Sequence, residues 1–284
     1  MKFSNAVSFK AKIKNLAKEK AVPPQQIQQN YLIEQVLKLI ATSNFKDHFI
    51  VKGGYLIGHL IGVDKRTTMD LDVTLKGTEL DQKNLLAMFE EILSQPTENF
   101  SFTVDGLEPI RKDDQYGGYA LKLNATFEKL REVVFIDITT GDSITPREIR
   151  YTIESVFSNE VIKVWAYNLE TVLAEKLEAI ISRGQASTRP RDRYDLFSLF
   201  KLRNEEIDYF VLGNALKNTT TKRGSSEFLD YWEEQVDSIE NSEYQRQLWL
   251  RYQKQFTYAR LISFEESVQV VRDLMQKTDT KRDD

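Results

Sequence analysis

The stretch from Val51 to Leu75, VKGGYLIGHLIGVDKRTTMDLDVTL, limits the fold more than any other part of the chain. FIVKGG reads as a short strand ending in a glycine turn, and the apolar run YLIGHLIG as a helix opening directly after Gly54. The next strand, at LDVTL, brings Asp70 and Asp72 one residue apart. Strand side chains alternate faces, so these two carboxylates project from one face while Leu71 and Val73 project from the other. Like charges so placed repel unless something positive lies between them. A divalent cation meets that need, because carboxylates are hard oxygen ligands and magnesium takes one or two of them together with substrate phosphates.

The glycine turn supplies the complementary half. Its backbone can approach a ligand without Cβ interference. The helix behind it presents unpaired N–H groups and a positive dipole end, and Lys52 adds a charge. Together these features form a candidate site for a nucleoside triphosphate and its metal. A third carboxylate, Asp137, interrupts the apolar strand VVFIDIT, where an aspartate is expensive unless paired or metal-bound. Asp70, Asp72 and Asp137 are therefore the candidate metal ligands and catalytic carboxylates. Asp137 serves either as ligand or as the base that accepts a hydroxyl proton. The competing reading places the Asp70–Asp72 pair on a solvent-facing edge or turn. Arg66, in the loop before the pair, is a rim charge or a triphosphate contact, with the contact preferred. His59, within an apolar run, reads as a satisfied core residue, and Trp165, Trp232 and Trp249 as core.

Composition narrows the chemistry. The chain has 284 residues, no cysteine and two histidines, His48 and His59. Disulfides and thiolate zinc sites are excluded, and a Ser-His hydrolase or a His-rich metal cluster is disfavoured. A metal here would be Mg2+ or Mn2+. The lack of cysteine fits a cytoplasmic protein. A formal net charge of −4 argues against non-specific coating of nucleic acid, although a strip of Lys122, Lys201, Lys217, Lys222 and Arg223 could face RNA. No run approaches the roughly 18 apolar residues of a membrane span. The N-terminal MKFSNAVSFKAKIKNLAKEK lacks the apolar segment of a secretory signal and reads as a helix with Val7, Ile13 and Leu16 inward.

Periodicity gives an α+β half to about Asn168, followed by a helical half, hence an expected division at 1–168 and 169–284. The runs FSFTV, YALKLNATF and EVVFIDIT read as neighbouring antiparallel strands, VIKVWAY as a further strand, and KNTTTKRGSS as a loop. In LETVLAEKLEAIISR, Leu169, Val172, Leu173, Leu177 and Ile180 form the apolar stripe. Lys176 lies beside that stripe, to snorkel or to reach into a cleft, with Glu178 on the opposite face. In RPRDRYDL, Pro190 suits a helix start, and Asp192 and Asp195 share one face. One of them caps or offsets Arg189, Arg191 and Arg193. The other orients Lys176 or contacts substrate, and Asp195 is preferred for that because it sits deeper among apolar residues.

FIVKGGYLIG, RTTMDLDVTL, LAEKLEAIISR and RPRDRYDLFSL, in this order, together make the chain similar to the AbiEii family of nucleotidyltransferase-like toxins, related to the MenT toxins. The leading SFKAKIKNLAKEKAVPPQQIQQNYLIEQVLKLI also resembles that family's first helices. The resemblance implies a polymerase-β-like nucleotidyltransferase core, a mixed sheet with flanking helices, and then a helical C-terminal region. It implies the toxin of an abortive-infection toxin–antitoxin pair with a winged-helix antitoxin as partner. The substrate would be an NTP, GTP favoured, and the acceptor RNA, the tRNA end above all. Transfer to a protein side chain and non-catalytic GTP binding are the alternatives, and a monomer is favoured. Carried onto this chain, the glycine motif falls on Gly53 and Gly54, the metal pair on Asp70 and Asp72, the downstream lysine on Lys176, and the last acidic motif on Asp192 or Asp195. The family has a serine after the first glycine. Gly54 keeps the N–H there and lacks the hydroxyl.

Overall fold

Seven strands join in one mixed sheet: β1 (Phe49–Lys52), β2 (Asp70–Leu75), β3 (Ser101–Ile110), β4 (Gly118–Phe127), β5 (Leu130–Thr140), β6 (Ile149–Glu154) and β7 (Val161–Ala166), in spatial order β3-β4-β5-β2-β1-β7-β6. The computed structural model describes residues 2–62, 64–66, 68–110 and 117–278. One compact unit comprises Met1–Gly141 with Ile149–Ala166, and a second comprises Asp142–Glu148 with Tyr167–Asp284.

In the first unit, β3, β4 and β5 form the expected antiparallel run. The centre is mixed: β2 runs parallel to β5 and antiparallel to β1, and β1 runs parallel to β7. Strand β6, IRYTIE, was not expected. It is an edge strand in which only Ile153 is buried, so Arg150 and Glu154 mask a weak alternation. The sheet has one apolar face, on which Val51, Leu71, Val73, Leu121, Leu123, Ile136 and Ile138 are all buried. Helices α2 (Pro24–Thr42) and α4 (Gln82–Leu93) cover it, α2 against β2, β5 and β7 and α4 against β3. Wholly buried Glu34 of α2 accepts hydrogen bonds from the Val156 N–H at 2.7 Å and Ser155 Oγ at 2.8 Å, which pins the helix to the β6–β7 connection.

Helix α1 (Ala6–Lys20) forms where expected but turns a different face inward. A capping box between Asn5 and Ser8 fixes its start. The buried stripe is Phe9, Ile13 and Ala17, while Val7 is 77% exposed and Leu16 half-buried. Aromatic packing decides the rotation. Phe9 lies 5.2 Å from Tyr31 and 5.1 Å from Phe100 between ring centres, and Phe3 and Phe157 complete the cluster. Ring pairs at these distances add stability beyond their buried area.

The second unit is helical: α5 (Leu169–Ile181), α6 (Pro190–Arg203), α7 (Tyr209–Arg223), α8 (Trp232–Glu240), α9 (Glu243–Gln255) and α10 (Phe264–Thr278). KNTTTKRGSS is a loop only from Gly224 onward. Helix α7 continues through it to Arg223, and Gly224 ends it in the left-handed conformation at φ +66. Thr219 and Thr220 are buried, and the Thr220 and Thr221 hydroxyls donate back to the Lys217 carbonyl, which makes these threonines acceptable within a helix. The run YQRQLWLRYQKQFTYARLI breaks instead at Phe256, whose backbone is extended. Trp232 and Trp249 are buried as expected, and the Trp249 indole donates to the Ile262 carbonyl at 2.9 Å. No helix among the described residues is long and apolar enough to cross a membrane.

The rotation of α1 is tested by substitution. Phe9→Ala is expected to lower stability by about 3–5 kcal/mol, read as a shift of the urea midpoint, whereas Val7→Ala should stay within about 0.5 kcal/mol of the parent.

Candidate active site

The opposite face of the sheet carries the polar residues. In the strand register Lys52 stands opposite Asp72, Asp72 beside Asp137, and Asp137 opposite Ala120. A cation and two carboxylates thus form a row across β1, β2 and β5, with a small side chain closing it on β4. Adjacent strands lie about 4.8 Å apart, so the row is short. Asp70 is one pleat further along β2, beside Phe135, which is 43% exposed. Asp72 and Asp137 are half-buried, and Asp70 is exposed. Lys52 is buried and donates to Thr139 Oγ1 at 2.6 Å. Strand alternation puts Thr139, two residues after Asp137, on the same face, but its contact with Lys52 is not legible in the sequence.

β1 runs straight into α3 (Gly53–Ile61), which starts two residues earlier than the sequence reading placed it. Gly53 has φ +63, and a Cβ there would lie 2.1 Å from Asp72 Oδ2. Position 53 therefore accepts only glycine, for conformation and for space alike. The next N–H, of Gly54, donates to the same oxygen at 3.2 Å and fixes the Asp72 carboxylate against the turn. A Cβ at Gly54 would meet Thr68 Oγ1 at 2.8 Å and the two terminal guanidinium nitrogens of Arg66 at 2.9 and 3.0 Å. Arg66 is 4% exposed. It is therefore no rim charge. Its guanidinium fills the space that a side chain at position 54 would need, which gives the missing serine a structural counterpart.

Among the described residues no group of three or more His, Cys, Asp or Glu side chains stands close enough to hold a metal. Asp70, Asp72 and Asp137 share a face and two neighbouring strands without forming such a group. The donor set nevertheless suits a hard divalent cation: two carboxylates side by side, one of them drawn against a turn whose lack of Cβ lets it approach, with substrate phosphates able to supply further oxygens.

In the second unit, Lys176 of α5 lies between both acidic residues of α6. Its Nζ is 2.5 Å from Asp192 Oδ1 and 2.9 Å from Asp195 Oδ2, and Arg189 Nε is 3.3 Å from Asp192 Oδ2. Both carboxylates are buried. Asp192 also lies in the first turn of α6, where the helix dipole favours negative charge. Glu178, expected on an outer face, is buried as well. It accepts from Arg223 at 2.6 Å and from Ser225 Oγ at 2.9 Å, because α6, α7 and α8 all pack on α5. His59 pairs with the Tyr55 carbonyl at 3.0 Å, and burial pushes its pKa below the usual imidazole range. It is neutral at pH 7.

A protein whose strand, glycine turn and helix lead to a carboxylate pair on a mixed sheet has the makings of a nucleotidyltransferase. The family model described as "Nucleotidyl transferase AbiEii toxin, Type IV TA system" matches residues 35–270, and the chain belongs to that family. It is a nucleotidyltransferase of a toxin–antitoxin system, which brings with it a nucleoside triphosphate substrate and an antitoxin partner. Its fold is similar to that of a protein designated a nucleotidyltransferase from H. pylori, at 16% identity and a TM-score of 0.50, over 92% of this chain and 97% of that one. JHP933 from Helicobacter pylori is similar at 17% identity and a TM-score of 0.48, over 90% and 94% of the two chains. No curated protein matches the chain.

Gly53→Ala is expected to displace the Asp72 carboxylate and to reduce nucleotidyl transfer about 100-fold, the loss typical of ångström-scale misplacement. Gly106→Ala, where a Cβ meets nothing within 4 Å, is the control and should leave transfer unchanged in a labelled-nucleotide assay.

Proposed function

We propose that the protein transfers a nucleotide from an NTP, GTP in the first instance, to a hydroxyl at the acceptor end of tRNA. The row of Lys52, Asp72 and Asp137 beside the Gly53–Gly54 turn carries this reading. Lys52, the backbone of the turn and the Arg66 guanidinium hold the triphosphate. Asp72, with Asp70 from the same face and Asp137 as a further ligand or as the base, would hold Mg2+ or Mn2+, which when bound would offset phosphate charge and acidify the attacking hydroxyl. That hydroxyl attacks the α-phosphorus, the bond to the bridging oxygen breaks, pyrophosphate leaves, and Asp137, where it serves as base instead of ligand, takes the hydroxyl proton. Lys176, Asp192 and Asp195 contribute by fixing the start of α6, since each holds another in place.

A reaction of this kind on tRNA suits a cytoplasmic protein that acts as a monomer until a winged-helix antitoxin neutralises it. The test is to incubate the protein with each labelled NTP, Mg2+ and total tRNA. Label should enter RNA, GTP should serve best, and Asp72→Asn should reduce incorporation to background while the protein remains folded by circular dichroism. Label migrating with protein, or no transfer with any of the four nucleotides, overturns the proposal.

A further inference from the structure

The helical unit holds an open groove of about 370 Å3 between the start of α6 and the C-terminal half of α9. Arg189, Arg191 and Arg251 line it with Tyr252 and Phe256. Its size falls within the roughly 300–1,000 Å3 of small-ligand sites. The two segments that build it are free of acidic residues. Residues 179–191 contain Arg183, Arg189 and Arg191 without an Asp or Glu, and residues 244–264 contain Arg246, Arg251, Lys254 and Arg260 without one. On a chain of net charge −4 this is a local reversal of sign.

The three arginines are not equivalent. Arg189 is paired with Asp192. Arg191 and Arg251 are exposed and form no ion pair among the described residues. The Arg191 guanidinium instead lies 5.7 Å from the centre of the Phe256 ring. That ring belongs to an aromatic array: it is 4.8 Å from Tyr252 and stacked at 5.3 Å on Tyr258, which in turn is 4.7 Å from Tyr194. Half-exposed Phe256 thus sits on Tyr252 and Tyr258, with the Arg191 guanidinium over its ring and Arg251 lining the same groove. The strip suggested by the sequence is weaker on this count. Lys122 is neutralised by Asp105 at 2.5 Å, and Arg223 by Glu175 and Glu178.

We propose that this groove binds single-stranded RNA, with Arg191 moving off the Phe256 ring to a phosphate, Arg251 on the next phosphate, and one base taking the place of the guanidinium over Phe256. Unpaired cations around a fixed aromatic ring are the arrangement by which proteins hold single strands with little sequence preference. An acceptor end, unlike a duplex, offers the exposed base face that the ring needs. The proposal deepens the RNA-directed reading above and rests on it for the identity of the polymer.

The experiment follows a fluorescent eight-nucleotide single-stranded RNA by anisotropy, with the full chain and without nucleotide or metal, so that binding is scored apart from transfer. Arg191→Ala/Arg251→Ala should weaken binding at least about tenfold at low salt and lower the slope of log K against log salt by about 1.4, or about 0.7 for each phosphate contact removed. Phe256→Ala should weaken binding about tenfold, and Phe256→Tyr should restore it. Lys10→Ala, on the exposed side of α1, is the control. In steady-state assays the double variant should raise KM for RNA and leave KM for the nucleotide unchanged. An unaltered salt slope in the double variant overturns the proposal. So does a duplex RNA that binds as well as the single strand and ignores Phe256→Ala, or free GTP that competes for the groove at equal concentration. RNA binding that depends on both arginines, in a protein that labels no RNA, would uphold the groove and fail the transfer reading.

Discussion

The alignment of β2 with β5 is the constraint on which the site depends. Parallel pairing in register sets Asp72 beside Asp137, and the antiparallel pairing of β1 sets Lys52 opposite Asp72. A slip of one residue in either pairing would turn these groups into the apolar core and bring Leu71 or Ile136 out. The reverse face prevents that slip. Val51, Leu71, Val73, Ile136 and Ile138 are almost wholly shielded from water, so the burial that stabilises the sheet also keeps the polar row in place. The same residues therefore serve folding and chemistry at once, from opposite sides of one sheet.

The helical unit handles charge in another way. Several of its carboxylates are inside and each meets a cation: Asp192 and Asp195 meet Lys176, and Glu178 meets Arg223. Such pairs add little net stability over an apolar core, yet they are costly to break singly. Arg193 is the exception. It is 1% exposed, donates to Gln245 Oε1 at 2.8 Å, and otherwise faces the rings of Trp249 and Phe264. Burial draws its pKa down to about 10, which still leaves it charged at neutral pH. Its place between α6, α9 and α10 ties the helices that frame the arginine groove.

Much of this was legible in the residues themselves. Asp70 and Asp72 in alternation, and Asp137 alone in an apolar strand, placed the polar face because strand periodicity is strict. Lys176 beside its stripe left snorkelling and reaching into a cleft as alternatives, with Asp195 preferred as the acid that orients it; the structure pairs it with Asp195 and Asp192 alike. What escaped depended on contacts distant in sequence. The rotation of α1 is set by Tyr31 and Phe100, neither of which lies in that helix. The helicity of KNTTTKRGSS depends on burial of Thr219 and Thr220, which composition does not reveal. Glu178 reads as an outer residue until α7 is known to deliver Arg223.

The crowding of Arg66 over Gly54 comes from flexible groups. A Cβ at position 54 would meet only the tips of the Arg66 and Thr68 side chains, so a larger residue is tolerated there as far as those tips swing aside. Where the positive charge rests over the turn is thus set by a side chain that position 54 does not have.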